Sequence, residues 1–127
     1  MENITLLKLA SAMARHGAAR HNLIAQNVAN ADTPGYRARD VQEFAAMVNE
    51  GFTARATRPE HIGQPSSGGV YAPQAREVDL PQAPNGNSVN LEDQALRAVE
   101  AQGQHALALT IYSKAMDILR IGLGRNR

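Results

Sequence analysis

The chain has 127 residues and 13.7 kDa, with 13 Lys+Arg against 12 Asp+Glu and a formal net charge of +1. That length suits one ordinary domain, and the near-neutral balance lacks the basic excess a nucleic-acid binder needs. With no cysteine, disulfide frameworks, thiol catalysis and Cys-ligated zinc are excluded.

Core-forming material is unusual. There is no Trp, and the only aromatics are Tyr36, Phe44, Phe52, Tyr71 and Tyr112, while alanine reaches 22 residues. Aromatics normally supply the largest single burials. A chain this poor in them must pack small side chains closely, helix on helix, or complete its core with a partner.

The N-terminus, Met1-Glu2-Asn3-Ile4-Thr5, has no basic start, and Ile4 to Ala14 is interrupted by Thr5, Lys8 and Ser11. No cleavable signal and no membrane-spanning run are expected. From about Thr5 to Asn30 there is no proline, and Leu6, Ala10, Met13, Gly17 and Ile24 recur at spacings of three, four and seven. Leu7, Ala14, Ala18, Ala25 and Val28 widen the stripe, and Arg20 and His21 interrupt it. This predicts an amphipathic helix of about 26 residues, near 39 Å long.

The next segment, Asn27-Val28-Ala29-Asn30-Ala31-Asp32-Thr33-Pro34-Gly35-Tyr36, reads as a helix stop. Asn30 is a residue type that tolerates the left-handed conformation and closes helices. Asp32 or Thr33 can bond nearby amides, and Pro34-Gly35 suits a type II-like turn with positive φ at the glycine. Tyr36 then sits where its ring can anchor the returning chain. Val41, Phe44, Ala45 and Val48 predict a short helix over about 40–50.

A middle arm, about 53–88, holds five of the six prolines, from Pro59 to Pro84. Such a segment reads as extended or short-β, with Val70-Tyr71-Ala72 and Glu77-Val78-Asp79-Leu80 as the best strand candidates. From Leu91 to about 122 a second proline-free stretch follows. Leu91, Ala95, Ala98, Gln102, His105, Leu109, Tyr112, Met116, Leu119 and Leu123 keep an unbroken 4-3 rhythm, the period of a coiled coil. Asn90 is the expected N-cap, with Glu92 and Asp93 in the first turn. Leu107, Ile111, Ala115 and Ile118 form a second apolar set, so this helix can meet more than one neighbour.

No catalytic, cofactor-binding or metal-binding set emerges. His16 and His21 are five apart, which does not stack them on one helix face as a metal pair, and His61 and His105 stand alone in sequence. Gly68-Gly69 has no following phosphate-loop pattern. Glu92-Asp93 and Glu77/Asp79 read as capping and solvated charge. The expectation is a protein that is not an enzyme.

The stop signal carries a resemblance. Asn27-Val28-Ala29-Asn30-x-x-Thr33-Pro34-Gly35-Tyr36, about 30 residues in and ending an amphipathic helix, resembles the signature of bacterial flagellar basal-body rod and hook proteins. Thr57-Arg58-Pro59-Glu60-His61-Ile62 and Asn85-Gly86-Asn87-Ser88-Val89-Asn90-Leu91-Glu92 resemble segments of a proximal rod member. The resemblance implies a mainly α fold whose two terminal helices pair as an antiparallel coiled coil. It implies polymerisation through those helices into a hollow rod, with Asn27, Asn30, Thr33, Pro34, Gly35 and Tyr36 setting the turn. Leu6, Met13, Ile24, Leu109, Tyr112, Met116 and Leu119 would form the helix seam and assembly interface. Implied partners are further copies, rod proteins of the FlgC, FlgF and FlgG type, the adaptor FliE and the flagellar type III export gate. The implied place is the periplasmic rod of the basal body, reached without a cleaved signal, with no cofactor. A proximal rod protein of the FlgC type, or a small helical adaptor or export chaperone, fits the same residues.

Overall fold

A computed structural model describes residues 2–48 and 73–124. Helix α1 is Glu2–Ala29, 28 residues long, and helix α2 is Leu91–Gly124, 34 residues long. Between them lie two three-residue strands, β1 (Arg39–Val41) and β2 (Ala75–Glu77). The fold is therefore mainly helical, with two long terminal helices. Val70-Tyr71-Ala72, His61 and the Thr57–Ile62 segment lie outside the described residues.

The helices run antiparallel. Met13 faces Gln104, Arg20 faces Glu100 and Asn27 faces Gln94, so residue numbers fall on α2 as they rise on α1. They approach closely because the facing side chains are small. A Cβ on Gly17 would meet the His105 Cβ at 3.3 Å and the Ala101 carbonyl at 3.4 Å. The shortage of aromatics thus becomes a close alanine and glycine seam, capped by the larger Leu23, Ile24, Val41 and Met47, all buried.

The seam has the expected period and a different phase. On α2 the buried residues are Gln94, Ala101, Ala108 and Ala115. Of the seam read from the sequence, Ala95, Gln102, Leu109 and Tyr112 are turned away, with Leu109 52% exposed, while Ala98, His105, Met116 and Leu119 are half-buried at its edge. The two readings differ by most of one residue step, ~100° on a helix. The physical reason is that α2 is apolar on several faces, so its bulkiest residues do not mark the side that meets α1. Small residues do, because only they allow this approach. On α1, Ala10, Gly17 and Ile24 face inward as read, but the stripe widens through Ala12, His16 and Leu23, not through Ala18, Ala25 and Val28.

Asn90 caps α2, its Oδ1 accepting from the amides of Glu92 and Asp93 at 2.9 and 3.2 Å. The short helix expected from residue 40 begins later. Residues 44–48 are helical, and Asp40 and Val41 belong to β1. β1 pairs antiparallel with β2 in the register Arg39↔Glu77, Asp40↔Arg76, Val41↔Ala75. The ladder extends one step, with the Val78 amide donating to the Ala38 carbonyl at 3.0 Å. Of Glu77-Val78-Asp79-Leu80 only Glu77 is in a strand.

Candidate functional site

The end of α1, the turn after it and the lead-in to α2 form one polar cluster. At its centre is Asn27, 1% exposed. Its Nδ2 donates to the Arg39 carbonyl at 2.8 Å and to Gln94 Oε1 at 3.0 Å. Its Oδ1 accepts from the Arg39 amide at 3.0 Å and from the Tyr36 hydroxyl at 3.3 Å. Both donors and both acceptor sites of the amide are filled, as burial requires. One side chain therefore ties α1, the returning chain and α2.

Asn30 ends the helix differently from the sequence reading. Among the described residues no non-glycine residue has positive φ, so Asn30 does not close α1 in the left-handed conformation. Its side chain does the work instead, Nδ2 donating to the Gln26 carbonyl at 2.9 Å and Oδ1 accepting from the Thr33 hydroxyl at 3.1 Å. The turn then follows, with the Tyr36 amide donating to the Thr33 carbonyl at 3.2 Å around Pro34 and Gly35, whose φ is +74°. That is the geometry a type II turn demands of its third residue.

A second turn docks onto the first. The Gly86 amide donates to the Ala83 carbonyl and the Ala83 amide to the Asn87 carbonyl, both at 2.8 Å, closing a tight loop with Gly86 at φ +83°. The Gly35 amide donates to the Asn85 carbonyl at 2.9 Å. Asn87, 4% exposed, donates both of its Nδ2 hydrogens to the turn after α1, to the carbonyls of Asn30 at 2.8 Å and Thr33 at 2.7 Å. Both carbonyls lie in the turn just beyond α1, where they also accept from the Thr33 and Tyr36 amides, so a side chain 57 and 54 residues away pins that turn. Ser88 completes the join, its amide donating to the Tyr36 carbonyl and its hydroxyl accepting from the Ala38 amide.

The two glycines differ in what a side chain would meet. A Cβ on Gly35 has nothing within 4 Å, whereas one on Gly86 meets the Gly35 Cα at 3.3 Å. Gly35→Val is expected to destabilise by about 2 kcal/mol through backbone strain alone. Gly86→Ala should cost more than Gly35→Ala, because strain and crowding add. Urea midpoints of the three variants check the order, and equal losses for the two alanine variants would contradict it.

Nearer the middle of α1 lie two further ties. His16, 1% exposed, bridges the Gln42 carbonyl through Nε2 and Gln104 through Nδ1 at 2.7 Å, with the Phe44 ring 5.5 Å away. Arg20 does not weaken the seam as its position suggested. It pairs with the buried Asp40 at 3.3 Å, and Asp40 also pairs with Arg97, itself bonded to Asp93 at 2.8 Å. Burial works against the Arg97 charge, but the hydrogen bonds and field of Asp93 and Asp40 outweigh it and hold its pKa above the ordinary value. Asp93 is thus used by Arg97 rather than by the first-turn amides.

Of the other residues singled out from the sequence, Ile24 is buried, and Leu6, Met13, Met116 and Leu119 are half-buried. Leu109 and Tyr112 are exposed, at 52% and 42%. His16, Arg20, Asp40, Asn87 and Gln94 were not among the expected site residues. Gln94 offers a legible signal afterwards: it is the polar member of an alanine heptad column. Among the described residues no group of three His, Cys, Asp or Glu could hold a metal, and no helix is long and apolar enough to cross a membrane.

A family model described as "Flagella basal body rod protein" matches residues 6–37, which is most of α1 and its turn. The chain is also 30% identical over 112 residues to the flagellar basal body rod protein FlgB of Agrobacterium fabrum, covering 84% of each chain. The chain belongs to the flagellar basal-body rod proteins. Rod proteins are structural, so this one is a structural subunit of the basal body and not an enzyme, and it assembles with other rod proteins. Asn27, Asn30, Thr33, Pro34, Gly35 and Tyr36 all fall inside the matched rod segment. In this rod protein that segment is half of a joint, whose other half is Asn85–Ser88.

Proposed function

We propose that this rod protein polymerises through the outward faces of its terminal helices, which pair as an antiparallel coiled coil, into the proximal part of the hollow shaft. That shaft joins the motor base to the distal rod and hook. The observation that carries the reading is α2's outer surface. Nine large apolar side chains of α2 are exposed, from Leu91 at 57% to Leu123 at 70%, with Leu107, Leu109, Tyr112 and Ile118 between them. Stripes of that extent on a lone molecule mark partner surfaces, and head-to-tail contacts that do not close build filaments.

In this reading Leu109 and Tyr112 meet neighbouring subunits. Leu6, Met13, Ile24, Met116 and Leu119 hold the helix pair that presents them. In this reading the subunit sits next to rod proteins of the FlgC, FlgF and FlgG type, above the adaptor FliE and the type III export gate, and it reaches the periplasmic rod by that export route.

Leu109→Asp with Tyr112→Asp tests the reading. Both side chains are exposed, so the purified variant's melting should shift by less than the equivalent of about 0.5 kcal/mol. Cells carrying it in place of the parent should lack rods by electron microscopy and should not swim. Normal rods would overturn the assigned faces.

A further inference from the structure

We infer that Gln94, through Asn27, together with Asn87 sets the register of α2 against α1, selecting one of several alignments that the small-residue seam accepts. The inference concerns the single chain and does not depend on how subunits polymerise.

The buried column of α2 repeats every seven residues as Gln94, Ala101, Ala108, Ala115. Sliding α2 by seven residues, ~10.5 Å, lays alanine on alanine at the remaining positions. The flanking columns repeat too. Asp93 and Glu100 are both acidic and seven apart, and Arg97 and Gln104 are both long hydrogen-bond donors seven apart. A slipped pair could therefore refill much of the ion-pair and donor pattern around Arg20, Asp40 and His16. Glu100 is 64% exposed in its side chain, so its pair with Arg20 discriminates little.

Gln94 breaks the repeat. It is 1% exposed and its Oε1 takes the Asn27 Nδ2 at 3.0 Å. One slip puts an alanine there and leaves a buried Asn27 donor with one partner fewer. The other slip pushes the Gln94 amide into the site of Ala101, which is 1% exposed. Either leaves a buried polar group short of a partner, which costs far more than losing an exposed hydrogen bond. Asn87 acts at the end of the same pair. It sits four residues before α2 and donates to Asn30 and Thr33 in the turn that follows α1, so it fixes where α2 begins relative to that turn. A single buried polar residue in an otherwise apolar repeat is the device by which helix pairs specify register.

The chain has no cysteine, so introduced pairs report alignment without background. Gly17→Cys with His105→Cys reports the observed register, because their Cβ positions lie 3.3 Å apart, close to the ~3.5–4.5 Å of a disulfide. Gly17→Cys with Ala98→Cys, or with Tyr112→Cys, reports a slip of one heptad in either direction. In the full-length protein with Gln94 and Asn87 intact, oxidation should give the 17–105 disulfide and at most traces of the others by mass spectrometry. In Gln94→Ala with Asn87→Ala, the yield of a slipped pair should rise at least fivefold while the far-UV helical signal persists. A 17–105 product unchanged in that variant would overturn the inference. If the double substitution loses helicity, Gln94→Ala alone is read in the same way. It leaves the Asn87 bonds to that turn in place and should still raise a slipped pair above the parent, and unchanged yields there would equally overturn it.

Discussion

Replacing Asn27 by alanine is expected to destabilise the protein by about 4 kcal/mol, more than the removal of any other single polar side chain described. The loss is large because four partners are stranded together. The Arg39 amide and carbonyl, the Tyr36 hydroxyl and Gln94 Oε1 all turn to this one amide, which is 1% exposed. Each buried group left without a partner costs about 1–3 kcal/mol, and relaxation of the turn recovers part of the sum. Asn27→Asp tests the donor side separately. It keeps an acceptor for the Arg39 amide and Tyr36 but sets a carboxylate against the Arg39 carbonyl and Gln94 Oε1. It should therefore be at least as damaging as alanine despite its near-identical shape. Urea denaturation measures both, and an aspartate variant as stable as the parent would show that the bonds to Arg39 and Gln94 contribute little.

Asp40→Asn is expected to cost about 3 kcal/mol. Its carboxylate, 8% exposed, lies between the guanidinium groups of Arg20 on α1 and Arg97 on α2, and it also accepts from the Val41 amide at 2.7 Å. An asparagine keeps an acceptor for Val41 but removes the negative charge, leaving two part-buried cations facing each other. Breaking a buried pair from one side costs more than the pair contributes, because the remaining charge stays desolvated. Arg97→Met placed in the same chain removes one of the two cations. The double variant should then be more stable than the sum of the single losses predicts, by about 1–2 kcal/mol. Thermal melts of the four proteins close that cycle. Strict additivity would mean that Asp40 acts through its Val41 hydrogen bond and not through its charge.

Much of the fold was legible because helices announce themselves locally. The proline-free stretches, their repeat and the Asn90 cap place α1 and α2 within a few residues of their observed bounds. The Pro34-Gly35 pair has the positive φ its turn type requires. The phase of the seam was not legible. Leu109 and Tyr112 are the kind of residue that usually points inward, yet Ala101, Ala108 and Ala115 hold that place, since α1 offers glycine and alanine opposite them. Asn27 was singled out as part of a helix stop, whereas three of its bonds reach residues 12 or 67 positions away. Spacing alone does not name such partners.

The sequence by itself determined the two long helices, the Pro34-Gly35 turn, and membership of the rod family through a motif written in consecutive residues. These are properties of nearest neighbours, set by backbone preference and by a repeat that one helix carries alone. Only the tertiary structure decided which face of α2 is inside, that Arg20 joins α1 to β1 and α2, and that Asn87 pins the turn after α1 from far away in sequence. Those depend on which desolvated groups meet, and a buried donor takes the acceptor that the packing brings to it, however distant in the chain.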